Sequence, residues 1–337
     1  MENKNKKSNK RKIFTLLLIM LFTIILLSTS TYAWFTANKV ITISPIQVNV
    51  ATVGGIQISA DGANWRATVG FAELIGSTIN TNYATNVNQI PANMNPVSTG
   101  KTIDATGKME MFRGTVESNA GGDYILTAAK DTEIRGTTGN FVAFDIFIRA
   151  DANTNLYLTP NSQITVPIDG GGQPETDTGI KNAARIAFIV LGNTSLTSPI
   201  STIQALNGGA SSPAYLWEPN YDVHSASAVV HALNTYSIVT SQTGAAQLTY
   251  SGVYAPITAA NNVLVSAAVG TTSYVTPVVP DYSTVSNFSS DVTVFSVLQG
   301  ITKLRVYMWI EGQDVDCENV ASGGNVVFNV QLTSETT

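Results

Sequence analysis

The chain has 337 residues, of which 44% are hydrophobic and only 12% charged, with a net charge of -5. That balance excludes a highly charged disordered chain, and a net negative charge gives nucleic-acid phosphates nothing to neutralise them. One cysteine, Cys317, excludes an intrachain disulfide and a complete cysteine-based zinc site, and His224 and His231 are the only histidines.

The charge is unevenly placed. Lys4, Lys6, Lys7, Lys10, Arg11 and Lys12 open the chain, opposed there only by Glu2, so residues 34–337 keep 12 basic and 22 acidic side chains and a net charge of -10. The basic start runs into 15 apolar or hydroxyl residues at 13–27 and then into small and polar residues ending Thr31-Tyr32-Ala33. This order predicts a secretory signal peptide cleaved between Ala33 and Trp34. The alternative is a retained membrane anchor, for which the run is short against the roughly 20 residues of a span. A glutamate early in the apolar helix, as in type IV pilins, is absent from the run. The C-terminal residues 331–337 carry no sorting motif or apolar tail.

The next segment, 39–50, changes phase. Ile41 and Ile43 share one parity; Ile46, Val48 and Val50 share the other, and Pro45 stands between. Side chains alternate across a strand, so a one-residue slip exchanges the two faces. Proline lacks a ladder donor and belongs at an edge or bulge. The segment therefore predicts two strands in tandem with a break. It has two readings: the first strand of its own sheet, or a donor strand whose first half leaves its subunit to extend the sheet of the next copy. In the second reading Val40, Ile41, Ile43, Pro45, Ile46 and Val48 are the assembly residues.

Beyond residue 51 the chain reads as short strands separated by Gly, Asn, Asp, Ser and Pro. Val142, Phe144, Ile146 and Ile148 alternate with Ala143, Asp145, Phe147 and Arg149; Leu304, Val306, Met308 and Ile310 alternate with Lys303, Arg305, Tyr307 and Trp309; Val326, Phe328, Val330 and Leu332 alternate with Val327, Asn329 and Gln331. Each set predicts one face toward a core. Residues 185–191 are apolar at both parities after Arg185, which predicts a strand covered on both faces. Further strands are expected at 109–113, 123–129, 155–159, 163–167, 246–250, 263–269 and 292–298, and short helices near 71–76, 180–185 and 226–234. The fold class expected is all-β: a jelly-roll-like antiparallel β-sandwich over 51–337 with a loop-rich insertion at about 205–290.

Three polar clusters are candidate cation sites. Asp169, Glu175 and Asp177 surround a triple glycine, and Glu218, Asn220, Asp222 and His224 follow Trp217. Glu311, Asp314, Asp316 and Glu318 flank Cys317 after a strong strand. Alternating oxygen ligands suit calcium and a histidine among carboxylates suits a transition metal, but the preferred reading of each cluster is a solvated polar turn or loop. Calcium at the last cluster is the one cofactor expectation. Acidic neighbours raise a thiol pKa, so Cys317 reads as a buried small residue rather than a nucleophile. His224 and His231 are seven apart, which excludes the HExxH zinc motif. Six lysines remain after the expected cut (Lys39, Lys101, Lys108, Lys130, Lys181 and Lys303), few enough for a lysine–asparagine isopeptide crosslink to be tested by intact mass.

The signal segment running directly into Tyr32-Ala33-Trp34-Phe35-Thr36 resembles the SipW-dependent exported proteins of Firmicutes, among them the TasA and camelysin group of biofilm-matrix and surface-fibre proteins. The resemblance covers roughly residues 1–60. It implies a jelly-roll fold, export through a dedicated signal peptidase, and self-assembly through an N-terminal strand. The protease activity that camelysin names imply has no motif in this chain. The expected function is that of a secreted structural subunit forming extracellular fibres or a surface polymer, with no enzymatic activity, no small-molecule substrate and no nucleic-acid partner. Low charge on strand edges agrees with this, since charged edges oppose strand addition. The alternative is a cell-surface adhesin or carbohydrate-binding module using Trp65, Trp217 and Trp309 as stacking platforms.

Overall fold

The computed structural model describes residues 41–43, 47–50, 56–118, 124–220, 223–236, 241–242, 262–265, 290–312, 314, 316–317, 321 and 323–334. The signal segment with Ala33 and Trp34, the assembly residues Val40, Pro45 and Ile46, the site residues Asp222 and Glu318, and the strand expected at 246–250 lie outside them. Among the described residues no helix is long and apolar enough to cross a membrane.

Strands dominate, as the alternating pattern predicts. They are β1 (Ile41–Ile43), β2 (Gln47–Val50), β3 (Gln57–Ser59), β4 (Thr68–Gly70), β5 (Asn93–Met94), β6 (Met111–Ser118), β7 (Tyr124–Asp131), β8 (Val142–Ala150), β9 (Thr154–Leu158), β10 (Gln163–Thr165), β11 (Ala184–Thr194), β12 (Ala214–Trp217), β13 (Asn262–Val265), β14 (Val292–Val297), β15 (Gly300–Ile310) and β16 (Asn325–Thr333). The helices are short: α1 (Phe71–Leu74), α2 (Ser77–Asn82), α3 (Ile200–Gln204), α4 (Ala226–Tyr236) and a 3-10 turn at Ile180–Ala183.

One sheet has the order β12-β11-β15-β8-β3 and is antiparallel throughout. A second is built on β16, with β14 joined through β9; a third contains β13, β7 and β6. Even-numbered residues of β8, β11 and β15 share a buried cluster with Val326, Phe328, Val330 and Leu332 of β16, Leu156 and Leu158 of β9 and Phe295 of β14. Phe295 meets Phe188 and Tyr215 with ring centroids 6.2 and 5.2 Å apart. Burying side chains of this size contributes about 1.5–3 kcal/mol each.

β8 and β15 are covered on both faces, whereas their alternation predicts only one face toward a core. All eleven residues of β15 are buried, as are eight of the nine in β8. Val97, Ile103, Met109, Met111 and Phe141 lie over the odd-numbered face and form a second core with Ala187, Ile189, Tyr307 and Trp309. Loop segments thus add a layer on the side that alternation assigns to water.

The N-terminal segment lies along β16 in two separate pieces. β1 runs parallel to it, with Thr42 opposite Asn325 and Ile43 opposite Val326. β2 also runs parallel, with Gln47 to Val50 opposite Asn329 to Leu332. From Ile43 to Gln47 is four steps, but from Val326 to Asn329 only three, so the register on β16 shifts by one residue between β1 and β2. On its other side β1 holds two register pairs with β5, while β2 holds three with β4.

Candidate functional site

Two of the three polar clusters converge at one end of the β12-β11-β15-β8-β3 sheet, where β11 begins and β12 and β15 end. Register places Arg185 opposite Trp309 and Ile186 opposite Trp217, so Glu218 follows the last pair on one side of Arg185 and Glu311 follows Ile310 on the other. The turn after Glu311 returns Asp314 and Asp316 over the same strand end. The segment before α4 supplies His224 and Ser225. Gly179, at φ 88, lets this segment approach: a Cβ there would stand 2.6 Å from Ser225 Cβ.

Arg185 is 0% exposed, and its Nη2 bridges Glu218 Oε1 and Asp314 Oδ2. Its Nη1 donates to the carbonyls of Asn182 and Ala184, both at 3.1 Å. Asp314 Oδ1 accepts from Asp316 N at 2.8 Å. Asp316 Oδ1 accepts from Ser225 N at 2.7 Å and from Asn182 Nδ2 at 3.3 Å. Asp316 Oδ2 stands 2.7 Å from His224 Nδ1, and Trp309 Nε1 donates to Glu311 Oε2 at 3.2 Å. Glu218, Glu311, Asp314, Asp316 and His224 are each at least 95% buried. A charge so placed must be paired. Burial pushes the Glu218 carboxyl up, opposed by Arg185 and reinforced by Asp314 and Glu311, to about 7. Burial likewise raises Asp316, against the pull of its bond to His224. Ligand atoms of His224, Asp314 and Asp316 all lie within 4.8 Å of one another.

The expected solvated acidic turn is therefore a buried cluster, and Cys317 is buried beside it. Asp169, Glu175 and Asp177 do not join it. Asp169 accepts from the backbone of Gly171 and Gln173, Glu175 from Asn325, and Asp177 pairs with Lys181 at 2.7 Å. Asn220 donates to the carbonyls of Ile164 and Lys181. Trp217 and Trp309 are 3% and 0% exposed, so neither offers a ring to a sugar, and Trp65 packs against the core. Sequence reasoning missed Arg185 and Asn182 as site residues. A lone arginine opening an otherwise apolar strand was the available signal, because a fully buried arginine requires acidic partners.

A second buried polar network crosses the odd-numbered face of the same sheet. Arg305 Nη1 contacts Asp145 Oδ1 at 2.6 Å, and Lys303 Nζ stands 3.2 Å from Asp145 Oδ2. Tyr83 donates to Asp145 Oδ2 at 2.8 Å and accepts from Lys303 at 2.8 Å. Arg305 also pairs with Glu133, which accepts from Tyr307 at 2.8 Å and faces Lys108 at 2.9 Å. Burial opposes ionisation of Asp145, but Arg305 and Lys303 outweigh it and hold the carboxyl below its ordinary range. Burial lowers Lys303, with Asp145 restoring part of the shift.

Comparison with protein-family models, curated proteins and solved structures yields no match.

Proposed function

We propose that the chain is an exported structural subunit with a jelly-roll-like β-sandwich domain, and that its copies join into extracellular fibres or a surface polymer by exchanging β1. The observation that carries this reading is the division of the N-terminal segment on β16. β2 has four register pairs with β16 and three with β4, whereas β1 has two with β16 and two with β5. The register slip separates them, so β1 can leave its place without unseating β2. A β1 from another copy would restore the same backbone bonds at Asn325–Val326 and Asn93–Met94 and continue chain to chain. Such a head-to-tail contact generates an open filament when its rotation does not close. The signal-like start and the resemblance to the TasA and camelysin group favour export and assembly. Burial of Trp217 and Trp309 weighs against the carbohydrate-binding alternative.

The test compares protein beginning at residue 34 with protein beginning at residue 45, by light scattering and negative-stain microscopy. The longer protein polymerises and the shorter stays monomeric. Equal behaviour of the two refutes strand exchange.

A further inference from the structure

We propose that the buried cluster at the end of β11, β12 and β15 is a structural site for one divalent first-row cation of the zinc or manganese class, bound by His224, Asp314, Asp316 and Glu218. Three observations carry this independently of the assembly reading. First, ligand atoms of His224, Asp314 and Asp316 already lie within 4.8 Å of one another. Donors around one such ion at about 2.0–2.2 Å are at most about 4.4 Å apart and about 3.4 Å apart in a tetrahedral shell, so the three must draw together to share one ion.

Second, two buried acceptors beside them have no hydrogen-bond partner among the described residues: Glu218 Oε2 and Asn182 Oδ1. Both groups face the cluster. The Glu218 carboxylate shares Arg185 Nη2 with Asp314, and the Asn182 amide contacts Asp316 Oδ1. An unmatched buried carboxylate oxygen is unfavourable by the full desolvation of that atom, and a cation would supply its partner.

Third, the cluster is unbalanced. Among the described residues, the ion pairs of Glu218, Asp314 and Asp316 run to Arg185 and His224. Carboxyl groups so buried need further positive charge or a proton to stay in a low-dielectric interior, and a divalent ion would supply the charge. The donor set decides the class. An imidazole nitrogen among carboxylates suits zinc or manganese, whereas calcium takes an all-oxygen shell. The calcium expected at Glu311, Asp314, Asp316 and Glu318 is thereby replaced by a different ion at a different ligand set.

The experiment uses chelator-stripped protein beginning at residue 34. Titration with Zn2+, Mn2+ and Ca2+ is followed by calorimetry, thermal unfolding and the imidazole NMR signals of the two histidines. Zn2+ or Mn2+ binds at one equivalent, raises the unfolding temperature and perturbs one imidazole, while Ca2+ binds at least 10-fold more weakly. E218Q, which keeps shape and removes charge, weakens Zn2+ or Mn2+ at least 10-fold. No saturable binding, preference for Ca2+, binding that leaves both imidazoles unperturbed, or unchanged affinity in folded E218Q overturns the site. The wild-type NMR titration decides alone if E218Q does not fold. Assembly of the stripped protein is scored separately, so that failure of the metal site and failure of strand exchange remain distinguishable.

Discussion

Asp145 is the hinge of the network on the odd-numbered face, and Asp145→Asn isolates its charge from its shape. The carboxylate is 1% exposed and meets Arg305, Lys303 and the Tyr83 hydroxyl at once. An amide keeps the volume and one acceptor, but it leaves Lys303 with no carboxylate among its described partners and Arg305 with Glu133 alone. Breaking a buried ion pair by removing one partner destabilises by about 3–5 kcal/mol. Asparagine should fall near the lower bound and Asp145→Leu near the upper. Urea unfolding followed by tryptophan fluorescence reads this through Trp217 and Trp309, both buried. With m near 3 kcal/mol/M, the asparagine variant loses about 1 M in midpoint. Replacing the triad together, as D145L/K303M/R305M, should recover much of the loss relative to D145L, because no unpaired charge then remains inside. A loss under about 0.5 kcal/mol for D145N, or a triple variant no better than D145L, would refute the reasoning.

Asp61 gives a pH dependence. Burial alone would raise its carboxyl, but bonds from the Asn64 backbone and amide, the Ala63 backbone and the Ser59 hydroxyl outweigh it and hold the pKa at about 2 against 3.8. A folded pKa below the unfolded value means stability that is present above about 4 and lost as pH falls through about 2. Solvent screening reduces the roughly 2 kcal/mol implied by the shift toward 1. Asp61→Asn should therefore flatten the acid limb of the unfolding curve between pH 4 and 2, which pH-resolved thermal melts measure. Gly179→Ala places a Cβ 2.6 Å from Ser225 Cβ at a φ of 88 that disfavours it. It should destabilise by about 1–3 kcal/mol in urea. Lys303 and Asp145 should stay uncondensed, so peptides carrying the two should show no loss of water by mass. Amide formation between Lys303 and Asp145 needs a protonated acid, and Arg305 and Lys303 hold Asp145 ionised.

What was legible in the sequence was local. The change of parity from Ile43 to Val48 agrees with the one-residue register shift between β1 and β2 on β16, because strand parity is a nearest-neighbour property. Alternation at Val326, Phe328, Val330 and Leu332 holds since the intervening residues of β16 stay partly exposed. The same pattern misled at Lys303 and Arg305. Their partner Asp145 lies about 160 residues earlier in the chain, and nothing near β15 announces that loops 83–112 and 133–141 will cover it. The candidate site was legible as two fragments. Spacing grouped Asp314 with Asp316 and Glu218 with His224, but only the pairing of β11 with both β12 and β15 brings them around Arg185. That joining is a property of sheet order, which residue spacing does not encode.

Strand exchange is tested most directly by a cross-link across its slot. Thr42 of β1 stands opposite Asn93 of β5 in antiparallel register, a geometry within reach of a disulfide. The T42C/N93C protein, beginning at residue 34, is assembled and oxidised, then run on a non-reducing denaturing gel beside the unsubstituted protein. Exchange places Cys-bearing β1 in the next subunit, so the account predicts a ladder of covalent multimers that collapses on reduction. If the sedimented polymer yields only internally cross-linked monomers, β1 stays in its own subunit and the account is wrong.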